Sequence, residues 1–151
     1  MKRISLIAML ALAVVCLASC RSGKPLPPAT DGNECALLGF QYGSNVTAEE
    51  AKDIADAFRV NFHPTKYKVT ESDRGNKKMT KQQMCEAGHS LGAKLVVVGT
   101  INKLMDEYSV DVQVIDVLKE TTVAFEGNAF QKQDCSKEMQ NIAQRLASKL
   151  Q

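Results

Sequence analysis

The chain has 151 residues, enough for one hydrophobic core and hardly for two. It carries 19 basic and 17 acidic residues for a formal net charge of +2, no tryptophan, and 5% aromatic residues. With no basic stripe and few rings, this composition argues against a nucleic-acid-binding surface.

The first residues divide into three parts. Lys2 and Arg3 are positive, Ile4 to Val15 is almost wholly apolar, and Leu17-Ala18-Ser19-Cys20 follows. A basic start and a short apolar run are the pattern of a secretory signal. The run is too short for a stable span, which needs roughly 20 apolar residues. Leu17-Ala18-Ser19-Cys20 is similar to the bacterial lipobox, an aliphatic residue and two small ones before a cysteine. That resemblance implies cleavage before Cys20 and a diacylglyceryl group on its sulfur, with a further acyl chain on the new amino group. One acyl chain holds a protein to a bilayer only marginally, at about 0.8 kcal/mol per buried CH₂, whereas two or three hold firmly. The expected organisation is therefore a signal peptide over 1–19, a lipidated Cys20 with a tether to residue 34, and a domain over 35–151. Removing Lys2 and Arg3 leaves equal numbers of basic and acidic residues, so the mature chain is formally neutral. Arg21 after the cysteine, rather than an aspartate, favours the outer membrane by the enterobacterial sorting rule.

Residues 21–34 contain Pro25, Pro27, Pro28, Gly23 and Gly32. Fully extended, such a leash reaches roughly 40 Å at about 3.1 Å per residue. Ala36 to Gln41 then reads as a short apolar strand. Thr47-Ala48-Glu49-Glu50 is a capping box opening a helix whose apolar face is Ala51, Ile54, Ala55, Phe58 and Phe62. Pro64 ends that helix. Tyr67 to Glu71 is a strand, and Thr80-Lys81-Gln82-Gln83 is a second capping box. Its helix runs through Met84, Ala87 and Leu91, with Gly92 suited to the C-terminal cap. Leu95 to Val98 is a continuous apolar run, as in a strand covered on both faces. Tyr108–Val117 and Thr121–Phe130 read as a hairpin with its turn near Leu118 to Glu120. In the first of these strands the apolar side changes between Val114 and Ile115, which suggests a bulge or burial on both sides. A last helix from about Ser136 lines up Met139, Ile142, Ala143, Leu146, Ala147 and Leu150.

The predicted order is β-α-β-α-β-β-β-α, a single small α/β domain. Its sheet is mixed: the first three strands are parallel, with right-handed crossovers, and an antiparallel hairpin plus a helix end the chain.

Three segments resemble an envelope lipoprotein superfamily: Ala36-Leu37-Leu38-Gly39-Phe40, Gly92-Ala93-Lys94-Leu95-Val96-Val97-Val98-Gly99-Thr100-Ile101, and Val114-Ile115-Asp116-Val117. The superfamily includes the amino-terminal domain of TolB, the curli secretion lipoprotein and the lipoprotein activators of penicillin-binding proteins. Gly39-Phe40 stands where Asp-Phe is usual, and Leu118-Lys119-Glu120-Thr121 replaces a Thr-Gly turn. The resemblance implies a non-catalytic envelope protein that works by protein contact, without a cofactor. It also opens a second possibility, self-assembly into a ring as a secretion component.

Residues that could carry chemistry are few. Gly88-His89-Ser90-Leu91-Gly92 matches the Gly-x-Ser-x-Gly of hydrolase nucleophile elbows, but that motif needs a strand before it and a helix after. Here the order is reversed, and no histidine follows Ser90. Cys85 and His89, four apart on one helix, could share a metal only with a third ligand from Cys35, Cys135 or His63, so no metal site is expected. A small-ligand or hydrolytic site on the Cys85, His89 and Ser90 face stands as the alternative function, and it requires Ser90 exposed over a pocket. Besides Cys16 and Cys20, Cys35, Cys85 and Cys135 remain, so at most one internal disulfide can form; Cys85–Cys135 is the candidate pair. Gly39 and Gly43 lack the spacing of a phosphate loop.

Overall fold

The computed structural model describes residues 32–72 and 74–151. The signal segment, Cys20 and most of the tether lie outside the described residues. The described chain runs β1 (Glu34–Tyr42), α1 (Ala48–Arg59), β2 (Lys68–Glu71), α2 (Lys81–Ser90), β3 (Leu95–Leu104), β4 (Glu107–Asp116), β5 (Thr121–Gln131) and α3 (Cys135–Ser148). A 3₁₀ turn at Lys132–Asp134 leads into α3. The order is the predicted one. The five strands lie side by side as β2-β1-β3-β4-β5. β1 is parallel to both β2 and β3, while β3-β4 and β4-β5 are antiparallel. Among the described residues no helix is long and apolar enough to cross a membrane.

Side chains alternate across each strand, so the sheet has two different faces. One packs under α1 and α3 and holds Leu37, Phe40, Val97, Ile101, Val110, Val112 and Val114 with Ile54, Phe58, Met139, Ile142 and Leu146. The other packs under α2 and holds Ala36, Leu38, Val96, Val98, Ile115 and Val117 with Met84 and Cys85. The helix α2 covers only part of its face. Beyond it, Thr100, Asn102 and Asp111 are polar and at least partly exposed. This explains the change of apolar side in β4. Asp111, Gln113, Ile115 and Val117 all point the same way, and only the last two lie among the α2-side core residues. The bulge is real but sits in the neighbour: Val114 pairs with Ala124 and Ile115 with Thr122, so Val123 of β5 is the extra residue.

The helices start where the capping boxes predict. Thr47 Oγ1 accepts from the Glu50 N–H at 3.2 Å while the Thr47 N–H donates to Glu50 Oε2 at 2.9 Å. Thr80 and Gln83 repeat the exchange at 3.3 and 3.0 Å. The first helix stops at Arg59 rather than reaching Phe62, yet Phe62 stays buried by stacking on Phe58, ring centroids 5.0 Å apart.

A second bulge shapes β1. The register slips between Leu37 and Phe40, where Gly39 has φ 94°. That is a conformation glycine adopts without steric cost. The slip returns Phe40 to the face that Leu37 occupies. Its ring then lies across Gly99, its register partner on β3, and edge-on to Phe58 at 5.4 Å.

The strand β3 is much longer than the apolar run Leu95 to Val98. It continues to Leu104 and turns through Met105 and Asp106 into β4, a hairpin the sequence did not announce. The sheet therefore has two unlike ends. Glu34 at the chain's entry and the Leu118–Glu120 turn share one end, and the Met105–Asp106 turn forms the other.

Candidate functional site

The α2 residues do not assemble a reactive centre. Cys85 is buried among the α2-side core residues, and burial pushes its thiol pKa up, with the charge of Glu120 adding to the rise. A protonated thiol is a poor nucleophile and a poor metal ligand. Ser90 is exposed, as the ligand-site alternative requires, but its hydroxyl donates to the Glu86 carbonyl at 2.8 Å, one turn back on its own helix. Cys85 thus points into the sheet and Ser90 into solvent. His89 is half-buried between them, with Nδ1 inaccessible and without a hydrogen-bond partner. The two glycines of the motif have structural work. A Cβ on Gly88 would sit 2.4 Å from Val96 and 2.7 Å from Val117, and Gly92 has φ 67° at the helix end.

The cysteines do not come together as proposed. Cys35, Cys85 and Cys135 are all free thiols. Cys85 packs on the α2 face, whereas Cys35 and Cys135 pack on the α1/α3 face, so the sheet stands between Cys85 and Cys135. The expected pairing rested on both cysteines lying near helix N-termini at one edge of the sheet, and the two helices cover opposite faces of it. Burial pushes the Cys35 thiol up to about 12. Cys135 is raised by burial and then by Asp53, beside which it lines a cleft of about 100 Å³ with Tyr108 and Lys132. A larger cleft of about 260 Å³ opens between α1 and the end of β1, over Phe40, Ala51 and Ala55, with Lys52, Asp56 and Arg59 at its rim. Asp56 takes Lys52 and Arg59, each at 2.6 Å, so the charges there satisfy one another.

The densest polar contact lies at the N-terminus of α1. Glu50, already the reciprocal half of its capping box, accepts from Lys103 Nζ at 2.7 Å and from the Tyr108 hydroxyl. The Lys103 ammonium also stands over the Tyr108 ring, 4.9 Å from its centre. Asn45 Nδ2 donates to the Lys103 carbonyl, and the Gly43 N–H donates to the Ile101 carbonyl at 3.0 Å. Lys103, then Tyr108, then the Thr47 N–H hold the Glu50 carboxyl well below the ordinary carboxylate range, against the opposing effect of desolvation. The Lys103 pKa is raised, first by its hydrogen bond to Glu50, and that of Tyr108 first by burial. Sequence reasoning found Glu50 only as a cap. Its partners lie 53 and 58 positions away, and no local pattern marks them.

This knot clamps the root of the β3-β4 hairpin, and the tip beyond it is bare. Leu104 is 77% exposed and Met105 88%. Met105 has φ 55°. That left-handed backbone costs an L-residue roughly 1–2 kcal/mol, and glycine would occupy it without penalty.

No family model matches the chain, and no curated protein is significantly similar to it in sequence. Similar folds are found among solved structures. TolB from Acinetobacter baumannii superposes with a TM-score of 0.54 at 14% identity over 82% of this chain. The match spans 29% of that TolB chain, so most of TolB has no counterpart here. The LpoB C-terminal domain from Escherichia coli gives 0.50 at 12% identity, covering 67% of this chain and 84% of that one. A PelC dodecamer from Paraburkholderia phytofirmans gives 0.50 at 16% identity, covering 83% and 92%. The described domain has the fold shared by these TolB, LpoB and PelC structures, as the strand motifs around Phe40, Gly99 and Asp116 led one to expect.

Proposed function

We propose that this chain is a non-catalytic accessory lipoprotein of the bacterial envelope. Lipid on Cys20 anchors it, in the outer membrane facing the periplasm, and it binds another envelope protein through the β3-β4 hairpin tip. The observation that carries the binding role is the tip itself. Glu120 in the β4-β5 turn shares this left-handed backbone but is charged, whereas at the β3-β4 tip two neighbouring apolar side chains, Leu104 and Met105, are held in solvent where glycine would fit the backbone better. Its root is fixed by Glu50, Lys103 and Tyr108, so the two apolar side chains are presented on a rigid support. The lipobox-like segment and the fold shared with LpoB, a protein distinct from this one, support the envelope assignment. The free, buried thiol of Cys85 and the back-bonded Ser90 weigh against the hydrolytic alternative.

The test uses the full chain in native membranes. A photo-crosslinking residue at Asp106 should capture one reproducible protein, and Met105→Gly should abolish capture while leaving the melting temperature unchanged or higher. Capture of nothing, or capture indifferent to Met105→Gly, would overturn the binding role. Separately, Cys20→Ala should move the protein to the soluble fraction, and retention on salt-washed membranes would overturn the anchor.

A further inference from the structure

The two edges of the sheet are treated very differently. At one edge, β2 is four residues long and carries Lys68 and Glu71, a short charged strand of the kind that discourages pairing. At the other, β5 runs for eleven residues with a single charge, Glu126. That carboxylate points under α3, where Arg145 and Lys149 hold it at 2.8 and 2.6 Å. The outward row itself, Phe125, Gly127, Ala129 and Gln131, carries no proline and no charged side chain; the guards present are the bulge at Val123 and the Lys149 ammonium on the Phe125 carbonyl, both at one end of the strand.

The backbone groups facing out can be assigned. The Ile101 carbonyl turns to the β1 side, so the even residues of β3 bond to β4. Carried across the two registers, the even residues of β4 bond to Ala124, Glu126, Asn128 and Phe130. Phe125, Gly127 and Ala129 then turn their N–H and C=O groups outward. Independently, the Phe125 carbonyl is reached by Lys149 Nζ at 3.0 Å from outside the ladder.

This edge complements itself. About Gly127, the large Phe125 (54% exposed) lies on one side and the small, exposed Ala129 on the other, with their side chains on the same sheet face. A two-fold axis through Gly127 sets each Phe125 opposite the partner's Ala129, a large side chain against a small one. Arg145 and Lys149, each about half exposed, flank the Phe125 end. Glu138 flanks the other end, its carboxylate taking the neutral amides of Asn128 and Asn141. The same axis brings Arg145 and Lys149 of each copy towards Glu138 of the other, with the exposed Lys137 beside it. The geometry points to antiparallel pairing of β5 with β5 of a second copy of this chain, forming one continuous sheet across a two-fold dimer.

Two substitutions separate this contact from folding. Ala129→Pro deletes an N–H that faces away from β4, which an edge strand tolerates. Phe125→Lys places a charge on the outward row. In sedimentation of the full chain in density-matched detergent, the wild type should run at twice the mass of one chain. Each variant should shift towards one chain, with dimerisation weakened about tenfold or more and thermal unfolding unchanged. A wild type that stays a single chain would overturn the pairing. So would a larger ring, association only with a different protein, or a dimer indifferent to Phe125→Lys. If Ala129→Pro fails to fold, Phe125→Lys decides alone.

Discussion

Gly99→Ala tests the central packing contact of the domain. A Cβ at this position would lie 2.1, 2.2 and 2.7 Å from Cδ1, Cε1 and Cγ of Phe40, where ordinary contact begins near 3.4 Å. The ring would have to retreat by about 1 Å, at a cost of about 1–3 kcal/mol for overpacking. Behind it stands the Phe58 ring, itself fully buried, and the remaining way out is the α1 cleft, which exposes the ring. Opposing this is the gain from replacing glycine in a strand, about 0.5–1 kcal/mol. The clash wins, and the melting temperature should fall by about 3–10 °C for a domain of this size. The assay is thermal unfolding followed by circular dichroism, completed as a double-mutant cycle with Phe40→Leu. A smaller side chain at position 40 should relieve the clash, so the double variant should be more stable than the two single losses predict by about 1 kcal/mol. Losses that add within about 0.3–0.5 kcal/mol would refute the argument. An unchanged or raised melting temperature in Gly99→Ala alone would do the same.

Two further outcomes follow from the charges and thiols. Because Lys103 first, and then Tyr108, depress the folded pKa of Glu50, its contribution to stability is complete above the ordinary value of 4.5 and disappears as pH falls towards the depressed one. Glu50→Gln should therefore melt below the wild type at neutral pH, with the gap narrowing on acidification; a gap that is constant down to acid unfolding would show that the carboxylate charge is not what matters. In the folded full chain at neutral pH, a thiol-alkylating reagent should modify Cys135 before Cys35 or Cys85, which are buried and react only on unfolding. Mass spectrometry of partly alkylated protein reads the order, and equal rates for Cys85 and Cys135 would contradict the described packing.

The element order was legible because its signals are local. The capping boxes at Thr47 and Thr80 open the helices they announce, and the stripe from Met139 to Leu150 lies in the core. The hairpin at Met105-Asp106 was not legible. Its turn lacks the glycine or asparagine that marks such loops, and β3 loses its apolar face at Thr100 because α2 does not reach that far. Gly39-Phe40 looked like a departure from a strand motif. In three dimensions Gly39 makes the bulge, and Phe40 and the distant Gly99 become two halves of one contact. The Glu50, Lys103 and Tyr108 cluster and the separation of Cys85 from Cys135 depend on which face each element covers. Linear spacing carries no information about that. Cys20, the most specific residue the sequence offers, lies outside the described residues.

The opposite placement of the chain's entry and the Met105 tip has a consequence for how a paired form would sit at a membrane. Antiparallel edge pairing reverses one copy, so the two leashes would leave from opposite ends of the shared sheet. A ten-residue strand such as β3 spans about 33 Å, within the roughly 40 Å contour of each leash. Both leashes could thus reach one bilayer, and because a relaxed leash is shorter than its contour, two moorings at the two ends would draw the sheet down along the surface rather than leave it standing. The Met105 tips would then sweep sideways along the membrane surface, and the neighbours within their reach would be proteins embedded in the same leaflet.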